Sequence, residues 1–127
     1  MPTVDIVDET FLLVPPAVLA ATYADPDVWR ECWPDLRLEV YADRGEEGLR
    51  WTVTGALVGT QEVWLEPMLD GTLAHYFLRA DPPPDRNWSP SMLRRVITAR
   101  QVAAKTVSLR LKRTLEAGRR PGCPPLE

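Results

Sequence analysis

The chain has 127 residues and a mass of 14.3 kDa, which fits one compact domain and excludes a multidomain enzyme. Apolar residues make up 45% of the sequence and charged residues 26%, so the chain as a whole does not have the composition of a disordered protein. The net charge of −3 conceals an uneven distribution: residues 1–93 hold 6 Lys and Arg against 16 Asp and Glu, whereas residues 94–127 hold 9 against 2. A basic segment beside an acidic body favours internal charge complementarity over nucleic-acid binding.

Targeting signals are not apparent in the sequence. The longest largely apolar run, residues 11–21, is interrupted by Pro15 and Pro16 and is much shorter than the ~20 residues that a bilayer span needs. The first nine residues carry three acidic and no basic side chains, unlike a secretory or organellar leader. We therefore expect a cytoplasmic protein without a transmembrane span. Cys32 and Cys123 lack metal-ligand spacing and are predicted to be free thiols.

The first third of the chain predicts one strand and two short helices. Residues 3–14 mix β-branched and aromatic residues with charges and end at two prolines, which is typical of a strand. A helix follows, and a second one begins with Asp25 as N-cap and Pro26 at its first position. Trp29 and Trp33 are spaced so that both indoles share one helix face, which is therefore buried or lines a pocket.

From Leu36 onward the apolar period changes to two, which predicts an antiparallel meander of four further strands. Val63 and Leu65 are expected to face inward and Trp64 outward. In the last strand, residues 72–80, we expect Tyr76 to face inward and His75 outward. The three consecutive prolines after it predict a loop that separates the sheet from the next helix.

A long C-terminal helix is predicted from Ser89 as N-cap and Pro90 to Ala117, with Gly118 as its C-terminal cap. Its apolar stripe, expected to face the sheet, consists of Leu93, Val96, Ile97, Ala104, Val107, Leu111 and Leu115. Arg100 lies within this stripe and needs a partner, because an unpaired buried charge is costly. Three interpretations remain open: an ion pair with a strand carboxylate such as Asp8 or Glu9, a side chain that extends to solvent at the sheet edge, or an anchor for an anionic group of a ligand.

The other face of the helix carries Val102 and Leu109, which are either scattered surface residues or part of a dimer contact. The segment after Ser89 contains no aromatic residue, so we do not expect nucleic-acid binding. Residues 119–127 are rich in proline and are predicted to be a disordered tail, which leaves residues 1–118 as a single domain.

Sequence motifs for known chemistries are missing. The chain contains no GxGxxG, Walker A, HExxH, GxSxG or CxxC pattern and only one histidine, His75. Its carboxylates are expected mainly on turns and outward strand faces, without an evident acid/base pair. The sequence therefore predicts no cofactor, no metal and no identifiable catalytic residue.

The order of the predicted elements resembles the helix-grip fold of the START and birch-pollen-allergen superfamily, in its bacterial polyketide cyclase/dehydrase and lipid-transfer branch. The segments that carry this resemblance are LVPPAVLAATYADPDVWRECWPD at 13–35, GLRWTVTGALVGTQEVWLEP at 48–67 and DGTLAHYFLRADPP at 70–83. The resemblance implies an α+β fold: a curved antiparallel sheet of about five strands, fewer than the seven common in the superfamily, wrapped around the long helix. It also implies an apolar cavity between sheet and helix. From their positions in the predicted elements, the residues expected to line this cavity are Trp33, Trp51, Val53, Tyr76, Arg100, Ala104 and Val107.

Our first hypothesis for the function is a carrier or binding protein for a hydrophobic small molecule, lipid or polyketide-like, with Arg100 and Tyr76 fixing one polar group. The second is a cyclase or dehydratase in which Tyr76 or His75 moves a proton. The third is a non-catalytic interaction module, a homodimer or a complex with another protein, formed through an uncovered sheet edge or through Val102 and Leu109.

Overall fold

The computed structural model describes residues 2–117, so the predicted tail at 119–127, Cys123 and Gly118 lie outside the described residues. The predicted α+β helix-grip fold is confirmed. The elements in chain order are β1 (Val4–Leu12), α1 (Pro16–Tyr23), α2 (Pro26–Cys32), β2 (Leu36–Asp43), β3 (Gly48–Gly55), β4 (Val58–Met68), β5 (Gly71–Asp81) and α3 (Pro90–Leu115).

All strand pairs are antiparallel and the sheet order is β1-β5-β4-β3-β2. Consecutive strands from β2 to β5 pair as hairpins, while β1 crosses over to pair with β5. The two edges of the sheet are therefore β1 and β2. The two edges differ in whether another element covers their free backbone groups.

Side chains alternate along each strand between the two faces of the sheet, one packed in the core and the other facing outward. Val63 and Leu65 are buried and Trp64 is partly exposed, as predicted for β4. In β5, Tyr76 lies in the core against Trp33, which confirms its predicted inward direction. Edge strand β2 is less regular than its sequence predicts, because a bulge interrupts its register between Val40 and Ala42.

The predicted helix starts are confirmed. The Asp25 carboxylate accepts a hydrogen bond from the Asp27 N–H at 2.9 Å, and the Ser89 hydroxyl accepts one from the Met92 N–H at 3.2 Å. Helix α3 ends at Leu115, two residues earlier than predicted. At this end the Glu116 carboxylate is engaged by the Leu13 N–H at 2.9 Å and by the Lys112 ammonium at 2.8 Å, so a side chain ties the helix end to the segment after β1.

Helix α3 lies along β1 and closes that edge of the sheet. Ala104, Val107 and Leu111 from its predicted stripe are buried. Polar side chains of the helix donate to backbone carbonyls of β1: Gln101 to Val7 at 3.0 Å, Lys105 to Glu9 at 2.9 Å and Lys112 to Phe11 at 2.8 Å. These bonds satisfy carbonyl groups that a neighbouring strand would otherwise contact.

None of the helices within residues 2–117 combines the length and the hydropathy needed to cross a bilayer.

Candidate functional site

The space between the sheet and α3 is filled by aromatic side chains. The rings of Trp33 and Tyr76 are stacked with centroids 5.9 Å apart, and Trp51 packs edge-on against Trp29 at 5.7 Å. Trp51 has no solvent exposure at all. The fold therefore packs its indoles densely where the sequence predicts a ligand cavity.

Tyr76 takes part in a polar contact inside this aromatic layer. Its hydroxyl donates to the Gln61 side-chain carbonyl at 2.7 Å, and burial raises the pKa of Tyr76. Gln61 is buried, and sequence reasoning did not single it out, because a lone glutamine on a strand carries no motif signal. Among the described residues, the Trp51 indole N–H and the Gln61 amide NH₂ are buried donors without an acceptor.

Arg100 pairs with Asp35, which corrects the expectation of a strand carboxylate. The two guanidinium nitrogens lie 3.2 and 2.6 Å from the two carboxylate oxygens, a bidentate arrangement. The Arg100 side chain is 16% exposed and that of Asp35 53%. The reason is location: Asp35 lies between α2 and β2, on the flank of α3 that faces away from β1.

Asp8, one of the partners expected for Arg100, binds Lys105 instead. The Lys105 ammonium lies 2.8 Å from one Asp8 carboxylate oxygen, and the hydroxyls of Ser108 and Thr10 donate to the other at 2.9 and 3.0 Å. The Asp8 side chain is 3% exposed, whereas carboxylates were expected on turns and outward faces. The burial is compatible with charge because these three donors replace water.

A cavity of about 400 Å³ opens beside α3, on the side away from β1. Arg100 and Asp35 line it, together with Ala56, Leu57, Trp88, Val96, Ala99 and Ala103. We call this cavity the α3 groove. The small side chains of Ala99 and Ala103 create the space, because any larger residue at these helix positions would occupy it.

A second cavity of about 470 Å³ continues along α3 toward α2 and shares Ala99 and Ala103 with the α3 groove. Cys32 lines it, and the Arg110 guanidinium donates to the Cys32 sulfur at 3.3 Å. Burial raises the pKa of the Cys32 thiol, and the bond from Arg110 opposes that shift. Cys32 is a free thiol, as predicted.

The residues predicted to line a site fall into two groups. Arg100 lines the α3 groove and Val107 lines the second cavity. The other five are buried in the core: Trp33, Trp51, Val53, Tyr76 and Ala104. The sequence does not point to Asp35 or Leu57, and it offers Trp88 only as one of five indoles that could pack in a core or line a cavity.

His75 lies on the outer face of the sheet, away from both cavities. Its ring stacks on Trp64 with centroids 4.3 Å apart, and its nitrogens lie 3.3 Å from a Glu9 oxygen and 3.1 Å from a Glu66 oxygen. The outward direction predicted for His75 is confirmed, and its ring is packed against neighbouring side chains rather than open to solvent. Residues 2–117 contain no cluster of three His, Cys, Asp or Glu side chains able to hold a metal ion.

Comparison with known proteins bears on the fold. No family model and no curated protein matches the sequence. Solved structures that match nearly the whole chain include DR_A0006 from Deinococcus radiodurans, with a TM-score of 0.67, 17% identity and coverage of 90% of this chain and 98% of that one. Ms6760 from Mycobacterium smegmatis matches with a TM-score of 0.66, 15% identity and coverage of 91% and 92%. The Aha1 dimer from Colwellia psychrerythraea matches with a TM-score of 0.65, 13% identity and coverage of 92% and 99%.

Proposed function

Starting from the helix-grip fold that this chain shares with the START and birch-pollen-allergen superfamily, we propose that the protein binds a hydrophobic small molecule in the α3 groove. The observation that carries the proposal is an open cavity of about 400 Å³ with largely apolar walls and a bidentate Arg100–Asp35 pair in its lining. Small-molecule sites commonly combine apolar walls with a few fixed polar groups in volumes of roughly 300–1,000 Å³.

The walls of the groove favour an apolar guest. Leu57 is buried beneath it, and Trp88 and Val96 flank it with partly exposed apolar surface. A guest that covers these side chains gains roughly 25 cal/mol for each Å² of apolar surface removed from water. Hydrophobic contact is therefore the main expected source of affinity.

Arg100 gives the groove a directional polar contact. Asp35 occupies two of its nitrogens, while the guanidinium has five N–H donors in a fixed plane. Asp35 is itself half exposed, so a carboxylate or carbonyl oxygen of the guest can share the guanidinium with it. The expected ligand is an apolar molecule with one hydrogen-bond acceptor at an end.

Most of the residues predicted from the sequence to line a cavity lie deeper than the groove, in the core, and we include them in the proposed site. Trp33 stacks on Tyr76 and Trp51 packs beside it, so a guest that displaces Trp33 would reach Tyr76 and the unpaired donors of Trp51 and Gln61. A larger guest would then contact Val53, Ala104 and Val107 as well. This inner part of the site belongs to the proposal, with the α3 groove as its entrance.

Fluorescence titration with anilinonaphthalene sulfonate tests the proposal, because this probe combines apolar rings with one anionic group. We expect saturable binding to the wild-type protein. Ala103→Trp should weaken it at least about tenfold by filling the groove, and Arg100→Met should weaken it by a similar factor through loss of a charge-assisted hydrogen bond of about 1.5–3 kcal/mol. Leu109→Trp, on the exposed face of α3, is the matched control. Equal binding by all four proteins would refute the α3 groove as the site.

A further inference from the structure

The two edge strands of the sheet, β1 and β2, differ in whether a helix covers them. Helix α3 covers β1 with side-chain hydrogen bonds, whereas β2 is the last strand on the other side of the sheet. An uncovered edge presents backbone donors and acceptors that can pair with another strand. The open edge is therefore a candidate interaction surface that is separate from the α3 groove.

One hydrogen bond at the start of β2 shows which of its backbone N–H and C=O groups point toward β3 and which point away. The Ala56 N–H donates to the Asp35 carbonyl at 3.1 Å. In an antiparallel pair the groups that bond across alternate along the strand, so the backbone groups of Arg37 and Glu39 face β3. Those of Leu38 and Val40 consequently point away from the sheet, toward the open edge.

The side chains of this segment also alternate. Leu38 and Val40 are opposite the core residues Val53 and Trp51, so they lie on the core face, while Arg37 and Glu39 lie on the outer face. Both charged side chains are exposed, and neither has an ion-pair partner among the described residues. The regular part of the strand ends at the bulge after Val40.

We propose that β2 pairs antiparallel with β2 of a second copy of this chain, about a two-fold axis at Leu38. In this register Leu38 lies opposite Leu38, and Leu36 lies opposite Val40 of the second copy, so the apolar side chains share one face. Arg37 lies opposite Glu39 of the second copy, and by symmetry Glu39 lies opposite its Arg37. Two complementary charge pairs then occupy the other face.

The charge pattern of β2 is self-complementary, and this identifies the partner strand as β2 of a second copy. An arginine and a glutamate two residues apart on one face match their own antiparallel image when the axis passes between them. The bulge limits the paired segment to residues 36–40, and the Leu36 N–H already donates to the Trp33 carbonyl at 3.1 Å, so Leu38 and Val40 supply the free N–H groups and the dimer is small and depends on concentration. It joins two five-stranded sheets into one continuous sheet.

Sedimentation equilibrium of the full chain, over about 5–500 µM, tests this dimer. We expect Arg37→Glu alone and Glu39→Arg alone each to raise the dimer dissociation constant at least about tenfold, because each places like charges opposite one another. An equimolar mixture of the two variants should restore dimers, since every cross-strand pair is then Arg with Glu. The double variant Arg37→Glu/Glu39→Arg should also dimerise.

Arg94→Glu is the control with the same charge change on α3, where Arg94 is exposed. It should leave dimerisation unchanged. A wild-type protein that stays monomeric over the whole range would overturn the proposal, as would single variants that each dimerise like wild type or a mixture of the two that stays monomeric. None of these outcomes depends on ligand binding in the α3 groove, so the two proposals fail independently.

Discussion

The indole of Trp33 lies flat on the ring of Tyr76, with centroids 5.9 Å apart and an interplanar angle of 8°. Trp33 comes from the end of α2 and Tyr76 from the middle of β5, so this stack joins the short helices to the centre of the sheet. It also fills the space under α3. The α3 groove lies beside the helix instead, where Ala99 and Ala103 line it.

Truncation of this stack should cost substantial stability. Trp33→Ala is expected to lower the free energy of unfolding by about 3–5 kcal/mol, because Trp33 is buried and leaves a cavity. Urea denaturation measures the change. Trp64→Ala on the outer face, where the indole is partly exposed, should cost clearly less. Equal losses for the two variants would show that Trp33 is not a core residue.

The buried Asp8 carboxylate should make Lys105 unusually important for a surface lysine. Lys105→Met is expected to lower the free energy of unfolding by about 3 kcal/mol, because it leaves a buried charge without its counter-ion. Adding Asp8→Asn should recover part of the loss by removing that charge, and a double-mutant cycle from urea denaturation measures the coupling. Strictly additive effects would contradict the pairing.

The Arg100–Asp35 pair should contribute little to folding. Because Asp35 is half exposed, Arg100→Met is expected to lower the free energy of unfolding by about 1 kcal/mol or less, while it weakens probe binding. Thermal denaturation and the fluorescence titration report the two effects separately. A large fall in the melting temperature with unchanged probe binding would assign Arg100 a structural role only.

Cys32 should react slowly with thiol reagents at neutral pH. Burial raises the pKa of this thiol, so less of the reactive thiolate is present at pH 7 than for an ordinary cysteine, and the rate should climb as the pH rises. Arg110→Met removes an interaction that lowers the pKa and should slow the reaction further. Rates are measured by mass spectrometry in a Cys123→Ser background, with urea-unfolded protein as the reference.

A faster reaction in the folded protein than in the unfolded one would contradict this account of Cys32.

The sequence predicts the elements well because their signals are local. The prolines after Asp25 and Ser89 define two helix starts, and the alternation around Val63 and Leu65 defines a strand. The partner of Arg100 could not be predicted, since Asp35 is 65 residues away and only the folded chain brings it beside α3. Asp8 was misjudged for the same reason: its burial depends on Lys105 and Ser108 from the far end of the chain.

The location of the groove was only half predictable. Ala103 and Ala104 follow Arg100 by one helical turn, and their small side chains predict space beside it; Ala103 does line the groove. The helical spacing of Trp29 and Trp33 is compatible with indoles that line a cavity and with indoles that fill it. Only the packing of the rings in the folded chain decides between the two.

Native mass spectrometry of protein purified without organic solvent tests the proposed ligand site most directly, with wild type, Ala103→Trp and Leu109→Trp compared side by side. We predict a non-covalent adduct of about a few hundred daltons, matching a guest for a cavity of this size, on wild type and Leu109→Trp. Ala103→Trp should lack it, and solvent extraction should remove it. The same adduct at equal occupancy on wild type and Ala103→Trp would contradict a hydrophobic ligand site in the α3 groove.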